Sequence, residues 1–366
     1  MDHRPIIKPI LVQTLPSVEG KQGWPWSVGT SEPLPTGPLP KISIITPSYN
    51  QGNYLEETIR SLILQNYPNF ELFIVDAGSK DNTLEVIRKY EPWITRWVSE
   101  PDRGQSHAIR KGLAWATGDI INWINSDDII APGAFARIAA EFDLTHYDVL
   151  CGNCDYFIND LNHLDLRNER MGLGKTVGDT LVGRKINQPS TFFKASVMKE
   201  LGVDEQFHYT MDLDLWYRYL LRTGQSRIQL SDGLFTYFRL HESSKTVSQS
   251  PRFEEDVTRV FYNVLYSLDL PAALLDFVHL SVSDNKFKPT RYPVAVPSSA
   301  LSNFVRPYAW SAMLHYNEIG NFPAARNCLS VARRFGQPFS PAVARQLFKH
   351  YLIPSKILRL LTRPTL

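Results

Sequence analysis

The sequence predicts an α/β fold, in which helices flank a mostly parallel sheet and a helical region follows toward the C-terminus. Between Lys41 and Ala131, short apolar runs alternate with segments whose apolar residues recur every three or four positions. This alternation is typical of βαβ units, whose strands pair in parallel through right-handed connections. Beyond Ala131 the alternation loosens, and residues 253–270 and 307–362 have helical patterns.

The individual elements follow from the apolar spacing and from the turn residues that interrupt it. Strands are predicted at 42–45, 71–75 and 94–98, and a fourth strand ends at Asp127-Asp128. Helices are predicted between them, at 54–65, 81–90 and 105–116. Further along, we expect helices at 133–142, from Ala195 and at 211–222, and strands at 149–154 and 191–193. Residues 308–334 resemble one helical hairpin of the tetratricopeptide kind.

Shifts in composition divide the chain into three expected regions. Residues 1–40 are rich in Pro and Gly, and we expect an extended arm that packs on the next domain through Trp24 and Trp26. Residues 41–250 form the α/β domain, and residues 251–366 form a helical region. Within that region, residues 343–363 mix leucine and isoleucine with basic residues, which suits either a packed helix pair or an interfacial membrane helix.

The bulk composition narrows the class of protein. Hydrophobic residues make up 43% and charged residues 21% of the 366 residues, as in ordinary globular proteins. The net charge of +2 comes without a basic stripe, so no nucleic-acid partner is expected. Three cysteines are too few for a disulfide framework, which suits a reducing compartment. Because neither a secretory signal nor a long apolar span is evident, we expect a cytoplasmic protein that is at most peripheral to a membrane.

The most informative motif is the pair Asp127-Asp128, which follows the apolar run from Ile120 to Ile124. In open α/β sheets, ligands bind at the carboxyl ends of the strands. Adjacent carboxylates at that edge suit Mg²⁺ or Mn²⁺, which are often held by one or two carboxylates together with substrate phosphates. The alternative is a solvated turn with an Asp helix cap ahead of Pro132.

Three earlier loops are expected to meet at the same edge of the sheet. They are residues 46–52 (TPSYNQG), 76–83 (DAGSKDNT) and 100–107 (EPDRGQSH). In the first loop, the ring of Tyr49 and the polar groups around it suit a base or ribose. In the second, Asp76 can accept a hydrogen bond from a nucleobase or a ribose, while Ser79 or Asp81 is expected to cap the next helix. In the third, Arg103 beside a helix N-terminus suits a diphosphate.

Two later motifs supply further polar groups. Asp212 and Asp214 stand two apart at the start of a predicted helix and therefore project in different directions. One of them can act as a general base on a sugar hydroxyl, and the alternative is that both only favour the helix dipole. The segment 238–246 (FRLHESSKT) carries His241, which can complete a metal shell or contact a phosphate.

Taken together, these motifs resemble the family 2 glycosyltransferases with the GT-A fold, a Rossmann-like arrangement. The resemblance covers residues 41–247 and rests on the order and spacing of SIITPSYN (43–50), DAGSKDNT (76–83), SEPDRGQS (99–106), NSDD (125–128) and MDLDLW (211–216). It implies an inverting, metal-dependent hexosyltransferase. Such an enzyme moves a sugar from a nucleoside-diphosphate sugar, with a UDP-sugar favoured, to a hydroxyl of a glycan or lipid-linked acceptor. Cell-surface polysaccharide biosynthesis is the expected setting.

The resemblance also implies which residues bind the donor. By position, Pro47, Tyr49 and Asp76 would hold the nucleoside, and Arg103 would face the diphosphate. Asn50 and Gln105 fall within the same motifs and are expected in the donor site.

The metal and the base are carried over in the same way. Asp128 would be the direct ligand of Mn²⁺ or Mg²⁺, Asp127 would lie nearer the ribose or sugar and is a second candidate ligand, and His241 would touch the metal or the diphosphate. Asp212 matches the acid that acts as the base. The sequence departs from the family at Arg110, where Asn is frequent, and at Met211, where an acid is common.

Two other functions are compatible with parts of the pattern. A sugar nucleotidyltransferase also uses a parallel sheet and metal-binding carboxylates, but it usually carries a Gly-rich basic loop after the first strand, and residues 46–50 contain no basic residue. A non-catalytic carbohydrate-binding or scaffold protein would instead act through the C-terminal helices. In the glycosyltransferase interpretation, acceptor choice is expected to lie in residues 155–187 and in those helices.

Overall fold

The computed structural model describes residues 12–353, apart from 31, 159–160, 162–163, 170–171, 186, 242–249 and 283–286, and only the backbone of 164–169 and 250. Within these residues, the strands are β1 (Ile42–Ser48), β2 (Phe70–Asp76), β3 (Arg96–Ser99), β4 (Ile120–Trp123), β5 (Ile129–Ile130), β6 (Val149–Ile158), β7 (Leu164–Glu169), β8 (Thr191–Lys194) and β9 (Ile228–Leu240).

The described residues also form α-helices along the chain. They are α1 (Gly52–Ile63), α2 (Thr83–Tyr90), α3 (Gln105–Trp115), α4 (Ala134–Glu141), α5 (Val177–Gly183), α6 (Ala195–Leu201), α7 (Met211–Thr223), α8 (Ser250–Tyr266), α9 (Ala272–His279), α10 (Ser302–Glu318), α11 (Phe322–Arg334) and α12 (Pro341–Leu347).

The chain forms two compact units, and each unit is built from segments that are not continuous in the sequence. The first unit contains the residues up to Met171, then Lys185–Leu215 and Ser226–Ser250. The second contains Gly172–Arg184, Trp216–Gln225 and the residues from Pro251 onward. Helix α7 therefore contributes its first residues to one unit and the remainder to the other.

The first unit is built on one mixed sheet, with the strand order β3-β2-β1-β4-β8-β6-β9-β5 and β7 paired to β6. The strands β3, β2, β1 and β4 are all parallel, as predicted. Strand β8 then runs antiparallel to both β4 and β6, and β6 pairs in parallel with β9. The predicted α/β class, with helices packed on the sheet, is confirmed. All pairings are parallel only in the half of the sheet formed by β3, β2, β1 and β4.

The parallel half has the burial pattern expected of strands covered on both faces. Every residue of β1 and β2 is buried. Helices cover both faces of a parallel sheet. The strands of such a sheet are therefore nearly continuous apolar runs, as in Ile42–Ile45. Ile59 and Leu62 of α1 belong to the same core.

The sequence placed the end of β4 too late and missed three strands. Strand β4 ends at Trp123, because its pairing with β1 stops there, and the following residues turn so that the N–H of Asp128 donates to the carbonyl of Asn125 at 3.1 Å. The predicted strand ending at Asp127-Asp128 was therefore too long. The short strand β5, strand β7 and the thirteen-residue strand β9 were not predicted.

The N-terminal arm packs on the first unit, as expected. The indole N–H of Trp24 donates to the carbonyl of Ile130 at 2.9 Å. The buried Arg60 of α1 donates to the carbonyls of Pro16, Pro25 and Trp26, at 2.9–3.1 Å. The guanidinium also lies 5.2 Å from the ring centre of Trp26, so one side chain of α1 fixes three points of the arm.

The second unit is helical within the described residues. Helices α10 and α11 form the predicted hairpin, with Gly320 between them at φ 74°. The ring of Tyr217 stacks on Phe261 with a centroid distance of 5.8 Å, which joins α7 to α8. After α12 a single π-helical turn spans Phe348–Leu352, and residues 354–363 lie outside the described residues, so the two alternatives for this segment stay predictions. Of the helices described, none is both long enough and apolar enough to span a membrane.

Candidate active site

Asp128 lies in the turn between β4 and β5, and its side chain is buried. Its carboxylate accepts hydrogen bonds from the side-chain amide of Asn125 at 3.2 Å and from the backbone N–H of Arg239 at 3.3 Å. Burial and the neighbouring charge of Asp127 raise the pKa of Asp128 well above its ordinary value. A cation beside Asp127 and Asp128 would lower the pKa of Asp128 again, because opposite charge favours the ionised form.

Asp127 is partly exposed and faces His241 at the end of β9. The Nε2 atom of His241 lies 3.0 Å from Oδ2 of Asp127. The imidazole also packs on the ring of Tyr54, with a centroid distance of 4.6 Å. The structure therefore brings together two of the predicted metal ligands that are more than 110 residues apart in the chain.

Arg239 is a site residue that the sequence did not single out. Its side chain is 2% exposed, and its Nε donates to the carbonyl of Asp127 at 3.0 Å. Its Nη2 donates to Oε2 of Glu57 at 2.7 Å. The ring centres of Tyr54 and Phe157 lie 5.0 and 4.4 Å from the guanidinium. The sequence feature that could have identified Arg239 is its position two residues before His241. This spacing points to the site only when β9 is known to lie beside the Asp127–Asp128 turn.

Gln105 reaches the same turn from the start of α3. Its side-chain amide donates to Oδ1 of Asn125 at 2.7 Å, and the amide of Asn125 in turn donates to Asp128. Gln105 thus orients the amide that holds the buried carboxylate. Its predicted contact with the donor stays a prediction.

The loops after β1 and β2 are tied to each other. The backbone N–H of Asn50, at φ 51°, donates to the hydroxyl of Ser79 at 2.7 Å, and the N–H of Lys80 donates to Oδ1 of Asn50 at 2.9 Å. Pro47 is buried at the end of β1, whereas the ring of Tyr49 is 59% exposed. Tyr49 is therefore the residue of this loop that offers an open aromatic face.

Asp76 is buried and is held by its own surroundings. Its carboxylate accepts from the N–H groups of Gly78 and Ser79, at 3.0 and 2.9 Å, and from the hydroxyl of Ser99 at 2.6 Å. The hydroxyl of Ser79 donates to it as well. Asp76 thus shapes the loop in this state, and its predicted contact with a nucleoside stays a prediction.

The N-cap position of α2 is Asn82, and the preceding Asp81, one of the two residues expected to cap this helix, accepts from backbone N–H groups at two helix starts. Its Oδ1 accepts from the N–H of Thr83 at 3.0 Å, at the start of α2. Its Oδ2 accepts from the N–H of Gly52 at 2.9 Å, at the start of α1. One carboxylate therefore accepts one backbone N–H at the start of each of two helices.

Several buried polar atoms at this edge have no hydrogen-bond partner within the described part of the chain. They are Oγ1 of Thr46, Oγ of Ser48, Oε1 of Gln51 and Oδ2 of Asp102. Buried polar atoms are rarely left unpaired in folded proteins. Thr46 and Ser48 lie at the end of β1, and Gln51 and Asp102 lie in the loops that follow β1 and β3, where a polar ligand or water would supply the missing partners.

Arg103 does not contact the Asp127–Asp128 turn. Its Nε and Nη2 donate to Oε2 of Glu205 at 2.9 and 2.7 Å, and Nη1 of Arg110 donates to Oε1 of the same residue at 2.6 Å. Although partial burial acts to raise the pKa of Glu205, the hydrogen bond from Arg103 and the two positive charges lower it. The departure at Arg110 is therefore explained by a shared ion pair. The predicted contact of Arg103 with a diphosphate stays a prediction.

Asp212 stands in the first turn of α7, in a partly buried position. The segment before it is fixed on the start of α3, where the hydroxyl of Ser106 donates to the carbonyl of Phe207 at 2.6 Å. Burial raises the pKa of Asp212 to about 6, against backbone hydrogen bonds from Leu213 and from its own N–H that lower it. Asp214, by contrast, is fully buried. A carboxyl group that titrates near neutral pH can accept a proton from a substrate hydroxyl.

The side chains of Asp127, Asp128 and His241 provide only part of a binding site for a hard divalent cation. Among the described residues, no group of three or more His, Cys, Asp and Glu side chains is arranged to hold a metal ion. Asp127, Asp128 and His241 do not form a complete cage by themselves. They fit the mode in which one or two carboxylates bind Mg²⁺ or Mn²⁺ and substrate phosphates supply the remaining oxygens.

Comparison with known proteins places the Asp127–Asp128 turn in a recognised sequence family. Residues 43–201 match the sequence model described as glycosyl transferase family 2. This segment is therefore similar to glycosyl transferase family 2. It contains β1 through β4, the Asp127–Asp128 turn and α6, so every donor-site residue predicted before position 201 lies within the family 2 segment.

Relatives of this segment carry glycosyltransferase names. The chain is 27% identical over 228 residues to an uncharacterized glycosyltransferase of Rickettsia typhi, which covers 59% of this chain and 69% of that protein. It is 37% identical over 92 residues to a putative teichuronic acid biosynthesis glycosyltransferase, TuaG, of Bacillus subtilis, over 24% of this chain and 36% of TuaG. The aligned part thus spans about a third of TuaG.

A solved structure shares the fold. Residues 1–349 of S. aureus TarS, solved in complex with UDP-GlcNAc, superimpose with a TM-score of 0.51, at 20% identity, over 82% of this chain and 93% of that chain. At this identity the likeness shows the fold, a GT-A-like mixed sheet with flanking and C-terminal helices, and the predicted fold class is confirmed.

Proposed function

We propose that the protein is an inverting glycosyltransferase that transfers a sugar from a nucleoside-diphosphate sugar to a hydroxyl of a glycan or lipid-linked acceptor. The observation that carries the proposal is the buried Asp127–Asp128 turn, which is held by Asn125 and Arg239, faces His241 and lies inside the family 2 segment. The name of TuaG supports a role in cell-surface polysaccharide biosynthesis.

A UDP-sugar is the favoured donor. TarS, which shares the fold, binds UDP-GlcNAc. The exposed ring of Tyr49 would stack on the base, next to Pro47 and Asn50. The unpartnered hydroxyls of Thr46 and Ser48 offer hydrogen bonds to the nucleoside, and Asp76 holds the adjoining loop.

The charge of the donor diphosphate has to be balanced before it can leave. Asp128 and Asp127 would hold Mn²⁺ or Mg²⁺ together with diphosphate oxygens, and His241 would support the ion through Asp127 or contact the diphosphate. When bound, the metal would stabilise the negative charge that develops on the leaving group. Arg103 would leave Glu205 to contact the same diphosphate.

Asp212 would act as the general base. Its carboxylate accepts the proton of the acceptor hydroxyl, and the hydroxyl oxygen forms a bond to the anomeric carbon from the side opposite the diphosphate. The bond between that carbon and the diphosphate oxygen breaks, and its electron pair leaves with the nucleoside diphosphate. A single displacement of this kind inverts the anomeric configuration. The family 2 match favours this reaction over nucleotidyl transfer or a non-catalytic scaffold.

A thermal-shift screen tests the proposal. Purified protein is heated with UDP-, GDP- and dTDP-sugars, each with and without Mn²⁺. A ligand at 100 times its Kd stabilises the folded state by about 2.7 kcal/mol, so the true donor should raise Tm only together with the metal. Asp128→Asn should lose the metal-dependent part of the shift. No shift with any of these donors would contradict the proposal.

We also propose a peripheral location at the inner face of a membrane, where lipid-linked acceptors are held. Phe348, Tyr351 and Leu352 are exposed on the last described turn, with Lys349 between them, which suits a surface of anionic lipid. The protein should sediment with vesicles that contain anionic lipid. Phe348→Ser/Leu352→Ser should weaken this binding, and equal sedimentation with neutral vesicles would count against a charge-assisted contact.

A further inference from the structure

We propose that the N-terminal arm helps to position the carboxylates of the metal and donor site. It is connected to them through Trp26, Glu57 and Arg239. These three residues are called the arm relay below. The inference rests on the proposed function, because it assigns the arm relay to the positioning of the carboxylates that would bind the metal. The arm precedes the family 2 segment, which begins at residue 43.

The contacts of the arm relay are continuous from the arm to the Asp127–Asp128 turn. The indole N–H of Trp26 donates to Oε1 of Glu57 at 3.1 Å. The other oxygen of Glu57 accepts from Nη2 of Arg239 at 2.7 Å. The Nε of Arg239 donates to the carbonyl of Asp127 at 3.0 Å, and its backbone N–H donates to the carboxylate of Asp128 at 3.3 Å.

The geometry gives Glu57 a specific electrostatic task. Arg239 is buried beside two carboxylates, and a buried guanidinium needs an anionic partner. Because Glu57 takes that place, the guanidinium of Arg239 donates to the backbone carbonyl of Asp127 and not to the carboxylate oxygens of Asp127 or Asp128. Without the charge of Glu57, the guanidinium would turn toward Asp127 or Asp128 and compete with the metal.

Trp26 fixes the orientation of Glu57 from the arm. Glu57 is buried on α1, and its two oxygens are divided between the indole of Trp26 and the guanidinium of Arg239. Trp26 is itself held by Arg60, which donates to its carbonyl at 2.9 Å. The arm relay residues are therefore positioning residues: they act on the metal site through the Asp127–Asp128 turn and touch neither donor nor metal.

The arm relay predicts weaker metal binding when its charge or its orientation is removed. Second-layer partners of metal ligands typically change metal affinity by about 10- to 100-fold. We expect Glu57→Gln to weaken Mn²⁺ binding within that range and Trp26→Phe to weaken it by less. Trp24→Phe is the matched control, because it removes an indole hydrogen bond of the same arm, to Ile130, without touching the arm relay.

The test measures bound Mn²⁺ by electron paramagnetic resonance in the presence of UDP, and UDP binding without metal by calorimetry, with Tm as the check on folding. The expected result is a raised Mn²⁺ Kd for Glu57→Gln and Trp26→Phe, with wild-type affinity for Trp24→Phe. Wild-type Mn²⁺ affinity in folded Glu57→Gln and Trp26→Phe would overturn the arm relay alone. A wild-type protein that binds neither UDP nor Mn²⁺ would overturn the proposed function and the arm relay with it.

Discussion

As the proposed general base, Asp212 would meet two opposing requirements at a single carboxyl group. A base has to be shielded enough to hold a proton near neutral pH, and the same burial makes the charged form costly in the folded state. The pKa of about 6 expresses both effects. In the proposed role, Asp212 would favour activity at the expense of stability, and the cost in stability can be measured.

Asp212→Asn should be more stable than the wild type at high pH. Because the folded-state pKa is raised to about 6 from an ordinary 3.8, the folded protein binds the proton more tightly than the unfolded chain. Wild-type stability therefore falls as the pH rises from about 4 through 6, by about 3 kcal/mol for a shift of this size. Asn does not titrate, so the difference should be large at pH 8 and close near pH 4.

Urea unfolding of both proteins between pH 4 and pH 8 measures this difference. The exposed Glu200→Gln, on α6, is the matched control and should follow the wild type throughout. A stability difference between Asp212→Asn and the wild type that does not change with pH would contradict the raised pKa.

Arg103 and Arg110 provide a second comparison at the residue scale. Both pair with Glu205, and their side chains are 68% and 57% exposed, so each ion pair should contribute about 1 kcal/mol or less to stability. Only Arg103 lies in the segment before α3 that is proposed to bind the donor.

We expect Arg103→Gln to weaken UDP binding in the presence of Mn²⁺ by about tenfold, the loss of one charge-assisted hydrogen bond. Arg110→Gln should leave UDP binding unchanged, with a similar small effect on Tm. Calorimetric titration of both variants decides the matter. Equal UDP affinity in Arg103→Gln and wild type would remove Arg103 from the donor site.

At the scale of elements, local patterns were enough for the parallel half of the sheet and not enough for the rest. Strands β1 and β2 are buried apolar runs between helices with regular apolar spacing, so each βαβ unit is encoded within about 35 residues. Strand β9 mixes buried and exposed positions irregularly, and its partner β6 lies about 80 residues earlier. Arg239 could not be assigned because its role also depends on the pairing of β9 with β5, which follows the Asp127–Asp128 turn and lies more than 100 residues earlier.

The loops show the same limit. The sequence located the Asp127–Asp128 turn, yet placed it on a strand that ends four residues earlier. The ion pair of Arg103 with Glu205 was not predicted either, because it joins residues 102 apart in the chain. Motif spacing identifies which loops meet at an edge, and side-chain partners across loops have to be seen in three dimensions.

Asp81 allows a test of how two elements are started by one side chain. Loss of a helix cap costs about 1 kcal/mol, and Asp81 accepts N–H groups at the starts of both α1 and α2. Asp81→Ala should therefore lower the unfolding free energy by about 2 kcal/mol, twice the loss expected from one cap.

Asp143→Ala is the control for this substitution, because Asp143 binds Thr145 in the same local geometry without starting a helix. Its effect on chemical denaturation should be clearly smaller. Comparable losses for the two variants would show that the shared capping of α1 and α2 contributes nothing beyond the local turn.

At the scale of the whole molecule, the two units do not follow the chain in sequence. Segments Gly172–Arg184 and Trp216–Gln225 belong to the second unit although both lie inside the predicted α/β region 41–250. Within that unit, Tyr217 packs against Phe261 and Phe304, and Thr180 donates to the side chain of Gln225. The second unit is thus assembled from three pieces of sequence.

A chain cut after Ser250 should therefore lose the partners of the two inserted segments and fail to unfold cooperatively. Phe304→Ala is a milder test of the same packing: removal of a buried Phe side chain costs about 3 to 5 kcal/mol. Leu314→Ala, at an exposed position of the same helix, should change stability little. A shortened chain with a sharp, wild-type-like thermal transition would show that residues 41–250 fold without the C-terminal helices.

The division of labour between the Asp127–Asp128 turn and Asp212 is the central claim. It is tested most directly by donor binding and sugar transfer in Asp212→Asn, with Glu200→Gln as the control. We predict that calorimetry finds an unchanged Kd for UDP with Mn²⁺, whereas sugar transfer falls by about 10²- to 10⁴-fold, the usual contribution of a general base. Transfer at the wild-type rate, or loss of donor binding together with transfer, would contradict the assignment.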